Sequence, residues 1–236
     1  MFKEEIININ GINYIDVKNE NCNFLFSLKN SNGDFKRNTL EFNSKLKELL
    51  SRLGIISVGY SEQIHSSIIN VYDGSIKEGD STISDEENTG VCVYTADCVP
   101  ILIKHKFLPL KAAIHSGWKG TYDTILLKTI NFLKDKYEID VEDLICAVGP
   151  HIRYCCYEVS SEIVDDFNRH ELYNNKGVAA GRFLNLTKCI ELQFDVAGIP
   201  KKNYYLNAEC TKCSSIHEFY SYRIDKDCGR ILSLVY

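Results

Sequence analysis

Hydrophobic residues recur along this chain in the short runs and alternations that are typical of strands. Most of these segments are bounded by glycine, asparagine, aspartate or proline, the residues that favour turns. On this basis we predict strands over Ile6–Ile9, Tyr14–Val17, Phe24–Leu28, Ser57–Tyr60, Ile64–Val71, Gly90–Tyr94, Pro100–Lys104, Lys111–His115, Leu144–Val148, Tyr204–Leu206, Phe219–Ser221 and Ile231–Val235.

Helical periodicity is clearest in two longer segments. Thr39–Leu53 repeats apolar residues on one face and is followed by Gly54, a residue type that commonly ends helices. Thr121–Tyr137 also carries an apolar stripe at helical spacing. Shorter helices are predicted over Ser160–Asn168 and Leu186–Ala197.

The order of these elements favours an α+β fold with a mixed sheet, because strands and helices do not alternate strictly as in a doubly wound fold. No repeat or Pro/Ser-rich linker divides the sequence, so residues 1–236 are predicted to form one domain. The densest polar stretch, residues 73–89, is predicted to be an exposed loop. Neither GxGxxG nor GxxxxGK[ST] occurs, so the two common phosphate-binding loops are absent.

Composition argues against nucleic-acid-binding, membrane and secreted classes of protein. The 236 residues are 44% hydrophobic with a formal charge of −5, which supplies a core but no broad cationic face for nucleic acid. Apolar runs such as Val99–Ile103 and Leu144–Val148 are too short to cross a bilayer, and the first residues do not resemble a secretory signal. We therefore expect a cytoplasmic protein without nucleic-acid or membrane partners, and most of its 10 cysteines as buried thiols.

Three metal-competent side chains stand beside predicted turns: His65 in SEQIHSS, Cys98 in YTADCVP and His115 in AAIHSGWKG. Two imidazoles and one thiolate suit Zn²⁺ and leave a fourth position for water. The spacing along the chain does not by itself establish a shared site. A nucleophilic pair of Cys98 with either histidine, and ordinary structural roles for all three, remain alternatives.

Two cations are candidates for anion binding. Lys119 lies in a Gly-rich turn that opens a predicted helix, where free N–H groups and the helix dipole favour a phosphate. The alternative is a helix cap with a solvated lysine. Arg223, in SYRID on a predicted strand, is either an anion clamp or a paired structural cation.

The remaining cysteines predict no firm metal site. Cys210 and Cys213 form a single CxxC, whereas a structural zinc needs a second such half, and the nearby His217 makes only a weak local cluster. Cys155 and Cys156 are predicted to be packing residues beside the turn made by Gly149 and Pro150.

Taken together, several segments resemble the YfiH/YlmD family, the bacterial laccase-domain proteins that are regarded as purine nucleoside phosphorylases and are related to the mammalian FAMIN protein. The similarity runs from about Ser57 to the C-terminus. The segments that carry it are QIHSS, TADCVPILI, AAIHSGWKGTYDTIL, GPHIRYCCYEV, ECT and FYSYRIDKDCGRILSLVY.

The resemblance implies a mixed-sheet α/β sandwich of the YfiH-like, cysteine-hydrolase type. It implies a catalytic zinc site made of His65, Cys98 and His115, the same three residues selected above on chemical grounds. It also implies phosphorolysis of adenosine, inosine and methylthioadenosine, with adenosine deamination as a second activity. Purine nucleosides and phosphate are then the expected partners, with Lys119 and Arg223 as the phosphate-binding candidates.

The sequence departs from the family pattern in two places. The segment FLFSLKNSNGDFKRN is a shortened match to the family, and Arg153 stands where the family usually has glycine.

A copper-dependent, laccase-like polyphenol oxidase is one alternative function, although six scattered histidines do not supply coupled copper sites. Copper could still occupy the zinc site by affinity. A non-enzymatic metal-binding protein is the other alternative.

Overall fold

Two six-stranded sheets pack face to face in the computed structural model, which describes residues 1–20, 22–29, 33–37 and 39–236. The first sheet has the order β1 (Lys3–Ile9), β2 (Ile12–Asn19), β3 (Cys22–Ser27), β14 (Ile231–Val235), β7 (Thr89–Thr95) and β4 (Ser57–Gly59). The second has the order β13 (Tyr204–Leu206), β10 (Leu144–Val148), β8 (Val99–His105), β9 (Lys111–Ser116), β6 (Ser81–Ser84) and β5 (Ile69–Val71). A small hairpin joins β11 (Ala179–Ala180) to β12 (Phe183–Leu184).

Helices cover the outer faces of both sheets. They are α1 (Leu40–Leu53), α2 (Trp118–Tyr122), α3 (Ile125–Tyr137), α4 (Ser161–Arg169) and α5 (Leu186–Ala197). Helix α1 packs on the first sheet, while α3 and α5 pack on the second. Within the described ranges, none of these helices has the length and apolar character needed to cross a membrane.

Local sequence explains where α1 begins and ends. The Thr39 hydroxyl accepts a hydrogen bond from the backbone N–H of Phe42, at 3.2 Å, which caps the first turn. At the other end Gly54 adopts φ 69°, a left-handed conformation in which its N–H bonds back to the last turn. The buried side chains of Phe42, Leu46 and Leu49 then face the first sheet.

The mixed-sheet α+β prediction is confirmed, since both sheets combine parallel and antiparallel pairs. The predictions for α5, β10, β13 and β14 match the structure at both ends. Of the poorly matching segment 24–38, residues 30–32 and 38 lie outside the described part of the chain.

Several predictions were wrong in the polar regions. Residues 73–89 are not one exposed loop, because β6 lies inside them and is buried. Its Ser81 and Thr82 hydroxyls bond to the Thr129 hydroxyl of α3 and to the Ser61 hydroxyl of the segment after β4, so the polar residues of this buried strand have partners outside the sheet. Only Ile69–Val71 of the predicted strand 64–71 pairs in a sheet.

Two further elements differ from their predictions. The segment Phe219–Ser221 is not a strand, and Arg223 lies in a turn. The predicted helix Thr121–Tyr137 is broken, because Thr124 adopts φ 56° between α2 and α3. No proline or glycine at this point signals such a break in the sequence.

Gly149, just after β10, lies against a side chain of the opposite sheet. A Cβ atom placed on this glycine would lie 2.3 Å from the ring of Phe26 on β3. Glycine is therefore required here by the approach of the opposite sheet, since its φ is not in the left-handed region.

We expect Gly149→Ala to lower the free energy of unfolding by about 1–3 kcal/mol through overpacking, measured by urea denaturation. In a Phe26→Leu background the same substitution should cost less, because the smaller side chain leaves room for the methyl group. Equal costs in the two backgrounds would show that Phe26 is not the obstacle.

Candidate functional site

His65, Cys98 and His115 converge although they lie in three separate segments. Cys98 precedes β8 and His115 lies near the end of the neighbouring antiparallel strand β9, where it pairs with Pro100. His65 comes from the loop that leads into β5. One ligand atom from each residue lies within 4.8 Å of the others, and Cys98 Sγ is 3.9 Å from His65 Nε2.

The buried carboxylate of Asp80 holds two of these residues in place. One oxygen lies 2.7 Å from His115 Nδ1 and also accepts a hydrogen bond from the backbone N–H of His65, at 3.1 Å. The other oxygen accepts from the Ser66 backbone N–H and hydroxyl, at 2.6 and 2.7 Å. The carboxylate thereby fixes the His115 ring. It also fixes the loop that carries His65, a residue whose backbone adopts φ 58°.

Gly117 leaves the space that these side chains need. A Cβ atom on Gly117 would lie 3.1 Å from both Cys98 Sγ and His65 Cδ2. A larger residue at this position would push against the converging thiol and imidazole. The glycine of the HSGW segment therefore has a packing role beside the three side chains.

The local electrostatics favour a thiolate beside an imidazolium. Burial disfavours the charged form of Cys98, but the neighbouring His115 and His65 outweigh it and lower the thiol pKa. Burial likewise opposes protonation of His115, yet Cys98 and Asp80 raise its pKa. Burial raises the pKa of Asp80, but hydrogen bonds from His115 and Ser66 outweigh this and lower it to about 2.

Asp97 links Cys98 to the opposite wall of the site. Its backbone adopts φ 87°, an unusual conformation for a residue other than glycine. One carboxylate oxygen accepts from the Thr211 hydroxyl at 2.6 Å, and the other accepts from the Arg223 backbone N–H at 2.8 Å. Asp97 thus connects the turn carrying Cys98 to the segment between β13 and β14.

The three residues open into a cavity of about 640 Å³. Its described lining contains four cationic side chains and a single carboxylate, that of Asp97, so the cavity has an excess of positive charge. The rings of Tyr94, Trp118, Tyr157 and Tyr222 supply flat apolar surface. The cationic residues are Lys36, Arg37, Arg223 and Arg230.

The two predicted anion-binding residues are placed differently. Arg223 lines the cavity, where its guanidinium lies 5.0 Å from the Tyr157 ring centroid and donates to the Glu158 carbonyl at 2.8 Å. Lys119 is exposed on α2 and does not line the cavity. Its Nζ lies 5.7 Å from the centroid of the Trp118 ring.

Sequence reasoning missed several residues of the site. Asp80 was placed in an exposed loop, and Arg37, Asp97 and Arg230 were not selected, because none belongs to a local motif with a known spacing. The only signal for Asp97 was its position beside Cys98 in an otherwise apolar run.

The donor atoms fit a single metal ion of borderline softness. Imidazole nitrogen and thiolate sulfur are the ligands that Zn²⁺ prefers, and three of them leave one position open. The contact between Asp80 and His115 Nδ1 fits this arrangement, because a histidine that binds a metal generally donates its other ring N–H to a carboxylate.

Comparison with known proteins extends these observations. The sequence profile described as "Multi-copper polyphenol oxidoreductase laccase" matches residues 22–236. A Clostridium acetobutylicum protein named purine nucleoside phosphorylase is 35% identical over 230 residues, which cover 96% of this chain and 97% of that protein. A protein named adenosine deaminase, from an unknown prokaryotic organism, is 24% identical over 74% of this chain and 68% of its own.

The fold is also that of solved structures. The crystal structure of Bacillus licheniformis YfiH matches with a TM-score of 0.82 and 21% identity, covering 94% of this chain and 95% of that one. The predicted YfiH-like sandwich is therefore confirmed at the level of the fold.

We expect Asp80→Asn to weaken Zn²⁺ binding at His65, Cys98 and His115 by about 10–100-fold, because the amide cannot orient His115 as the carboxylate does. Competition with a chromogenic chelator measures the affinity. Asp73→Asn is the matched control, since Asp73 is an exposed carboxylate bonded to Ser75 and Lys77. An unchanged affinity in Asp80→Asn would contradict the orienting role.

Proposed function

This chain belongs to the laccase-domain family, which includes the YfiH and YlmD proteins, and from that membership we propose that it is a purine nucleoside phosphorylase. The observation that carries the proposal is the cavity, in which His65, Cys98 and His115 adjoin a cationic and aromatic lining. The relative named purine nucleoside phosphorylase is similar over nearly the whole length of this chain.

The cavity has the size and the lining that a nucleoside requires. About 640 Å³ is within the range of small-molecule sites, and the tyrosine and tryptophan rings give a purine a surface for stacking. Gln63 lies in the same lining but is already engaged, because its amide donates to and accepts from the backbone of Tyr94. Its proposed role is to fix the wall of the cavity.

Phosphate binding is assigned to the cations of the lining. During phosphorolysis a phosphate oxygen bonds to the ribose C1′ as the bond from C1′ to the purine nitrogen breaks. The reaction therefore requires an anion held beside the sugar. Arg223 is held by the Glu158 carbonyl and the Tyr157 ring, so its position is fixed before phosphate arrives. Lys119 remains the second candidate.

The three converging side chains are proposed to bind zinc and to face the substrate. When bound, the ion supplies Lewis-acid polarisation of a substrate atom or of a water molecule. Asp80 orients His115, and Gly117 leaves room for Cys98 and His65. Adenosine deamination is the second proposed activity, because one relative carries that name.

A multi-copper oxidase is less consistent with the donor groups. Among the described residues, the groups that combine three or more possible ligands are this trio and a set of four cysteines. Coupled copper sites use many imidazoles, whereas the trio offers two. Laccase-like oxidation would appear as turnover of a polyphenol, and metal binding without catalysis as bound zinc with no turnover of either substrate.

We expect inosine and phosphate to give hypoxanthine and ribose 1-phosphate, measured by chromatography, with no base released in phosphate-free buffer. Alanine at His65, Cys98 or His115 should reduce turnover by at least about 100-fold and remove zinc from this site. His170→Ala is the control, because His170 packs against Tyr122 and Tyr173 outside the trio. Base release without phosphate would indicate a hydrolase, and oxidation of a polyphenol with no nucleoside turnover would support the oxidase.

We expect Arg223→Gln to raise the KM for phosphate by about 10–100-fold and to change the KM for inosine much less, through loss of a charge-assisted contact. Lys119→Ala should change the KM for phosphate by less than about 3-fold, because the lysine is outside the cavity lining. The reverse order of effects would assign phosphate to Lys119.

A further inference from the structure

Two loops outside the nucleoside cavity leave the second sheet at the same edge. Strands β10 and β13 are parallel neighbours, with Val148 paired to Leu206, so their carboxyl ends lie side by side. The chain continues this parallel pairing beyond the strands, where His151 bridges to Cys210. The vicinal Cys155 and Cys156 in one loop are thereby brought to the CxxC of the other.

The four sulfur atoms form a compact group. The Sγ atoms of Cys155, Cys156, Cys210 and Cys213 all lie within 4.8 Å of one another, and Cys155 Sγ is 3.5 Å from Cys213 Sγ. A tetrahedral ion with Zn–S bonds of about 2.3 Å requires sulfur atoms about 3.8 Å apart. The group therefore has the dimensions of a site for one ion, whereas an iron–sulfur cluster needs more widely separated sulfurs.

Backbone donors already face the sulfur of the innermost cysteine. The Arg153 N–H donates to Cys210 Sγ at 3.4 Å, and the N–H groups of Lys212 and Cys213 point to the same atom. Such N–H···S contacts orient and stabilise a thiolate that binds a metal. Arg153 lines the same recess, with its guanidinium bonded to the Asn207 carbonyl at 2.6 Å, and its positive charge would offset part of the negative charge of a zinc–tetrathiolate centre.

The exposure of the group suits an incoming ion. Cys155 and Cys213 are exposed, Cys156 is half-buried and Cys210 is buried, so solvent reaches the outer sulfurs. His217, which sequence reasoning placed near the CxxC, instead bonds through Nδ1 to Glu209 at 2.8 Å. The ligands that complete the CxxC are therefore the two vicinal cysteines, which were predicted to be packing residues.

We propose that Cys155, Cys156, Cys210 and Cys213 bind a structural zinc ion, separate from the ion proposed for the nucleoside cavity. Zinc replaces the thiol protons, which are released to solvent, and all four coordination positions are filled by sulfur. The centre therefore leaves no position for water or substrate, and its role is to fasten the two loops.

A zinc ion at the four cysteines also stabilises part of the cavity wall. The loop holding Cys155 and Cys156 continues to Tyr157, and the loop holding Cys210 and Cys213 continues to Arg223. Tyr157 and Arg223 stack on each other in the cavity wall. An ion at the four cysteines therefore stabilises the wall that carries the proposed phosphate-binding arginine.

The test counts zinc in a variant whose cavity site has been removed. The His65→Ala/Cys98→Ala/His115→Ala variant, purified without added metal or chelator, should retain about one zinc per chain by elemental analysis and native mass spectrometry. Adding Cys213→Ser should reduce this to below about a tenth. Cys228→Ser, a cysteine outside the group, is the matched control and should leave the zinc content unchanged.

Cobalt substitution of the unmutated protein provides a second, independent measurement. Co²⁺ should give the intense thiolate charge-transfer absorption and visible bands of a tetrahedral tetrathiolate centre, and in Cys213→Ser the absorption should fall to that of the single thiolate that remains at Cys98. Retention of zinc after Cys213→Ser, iron in place of zinc, or a protein mass lower by two hydrogens per disulfide would each overturn the proposal. Because the cavity residues are absent from the first test, its result is independent of nucleoside phosphorolysis.

Discussion

A single buried carboxylate, that of Asp80, fixes the geometry on which the candidate site depends. It accepts hydrogen bonds from the backbone of residues 64–66 and contacts the ring of His115, so that one anion joins a loop to a central strand. The hydrogen bonds compensate for the cost of burying this charge, and they also restrict His65 to one position. Without these hydrogen bonds, the imidazoles of His65 and His115 would not be held in fixed positions relative to each other.

Asp97 has the corresponding function on the other side of Cys98. Its carboxylate contacts Thr211 and the backbone of Arg223, which are distant in sequence from the cysteine. The site is therefore held between two buried acids, each of which is satisfied by donors from another segment. This arrangement explains how a cavity rich in cations keeps a defined shape, since its arginines are bonded to backbone carbonyls and aromatic rings before any ligand binds.

The sequence predicted the apolar elements well because their periodicity records burial directly. Leu144–Val148 and Leu186–Ala197 have the same bounds in the sequence prediction and in the structure. Prediction failed where polar residues are buried: β6 is built from serine and threonine, whose hydroxyl partners lie elsewhere in the chain. The trio of His65, Cys98 and His115 was identified because each is a metal-competent side chain beside a predicted turn, whereas the four-cysteine group combines a vicinal pair with a distant CxxC, a spacing that matches no familiar motif. That residues 1–236 form one domain stays a prediction.

The position of β14 has a consequence for how the molecule is made. This strand, from residues 231–235, lies in the middle of the first sheet and pairs with both β3 and β7. During synthesis, β3 and β7 must therefore emerge long before the strand that separates them. Until then each has an edge of unpaired backbone N–H and C=O groups, a state that favours aggregation, and association of β14 pairs both edges. Folding of this sheet is accordingly expected to be limited in rate by a contact between segments some 200 residues apart, as in Leu232 N–H bonding to the Ser27 hydroxyl.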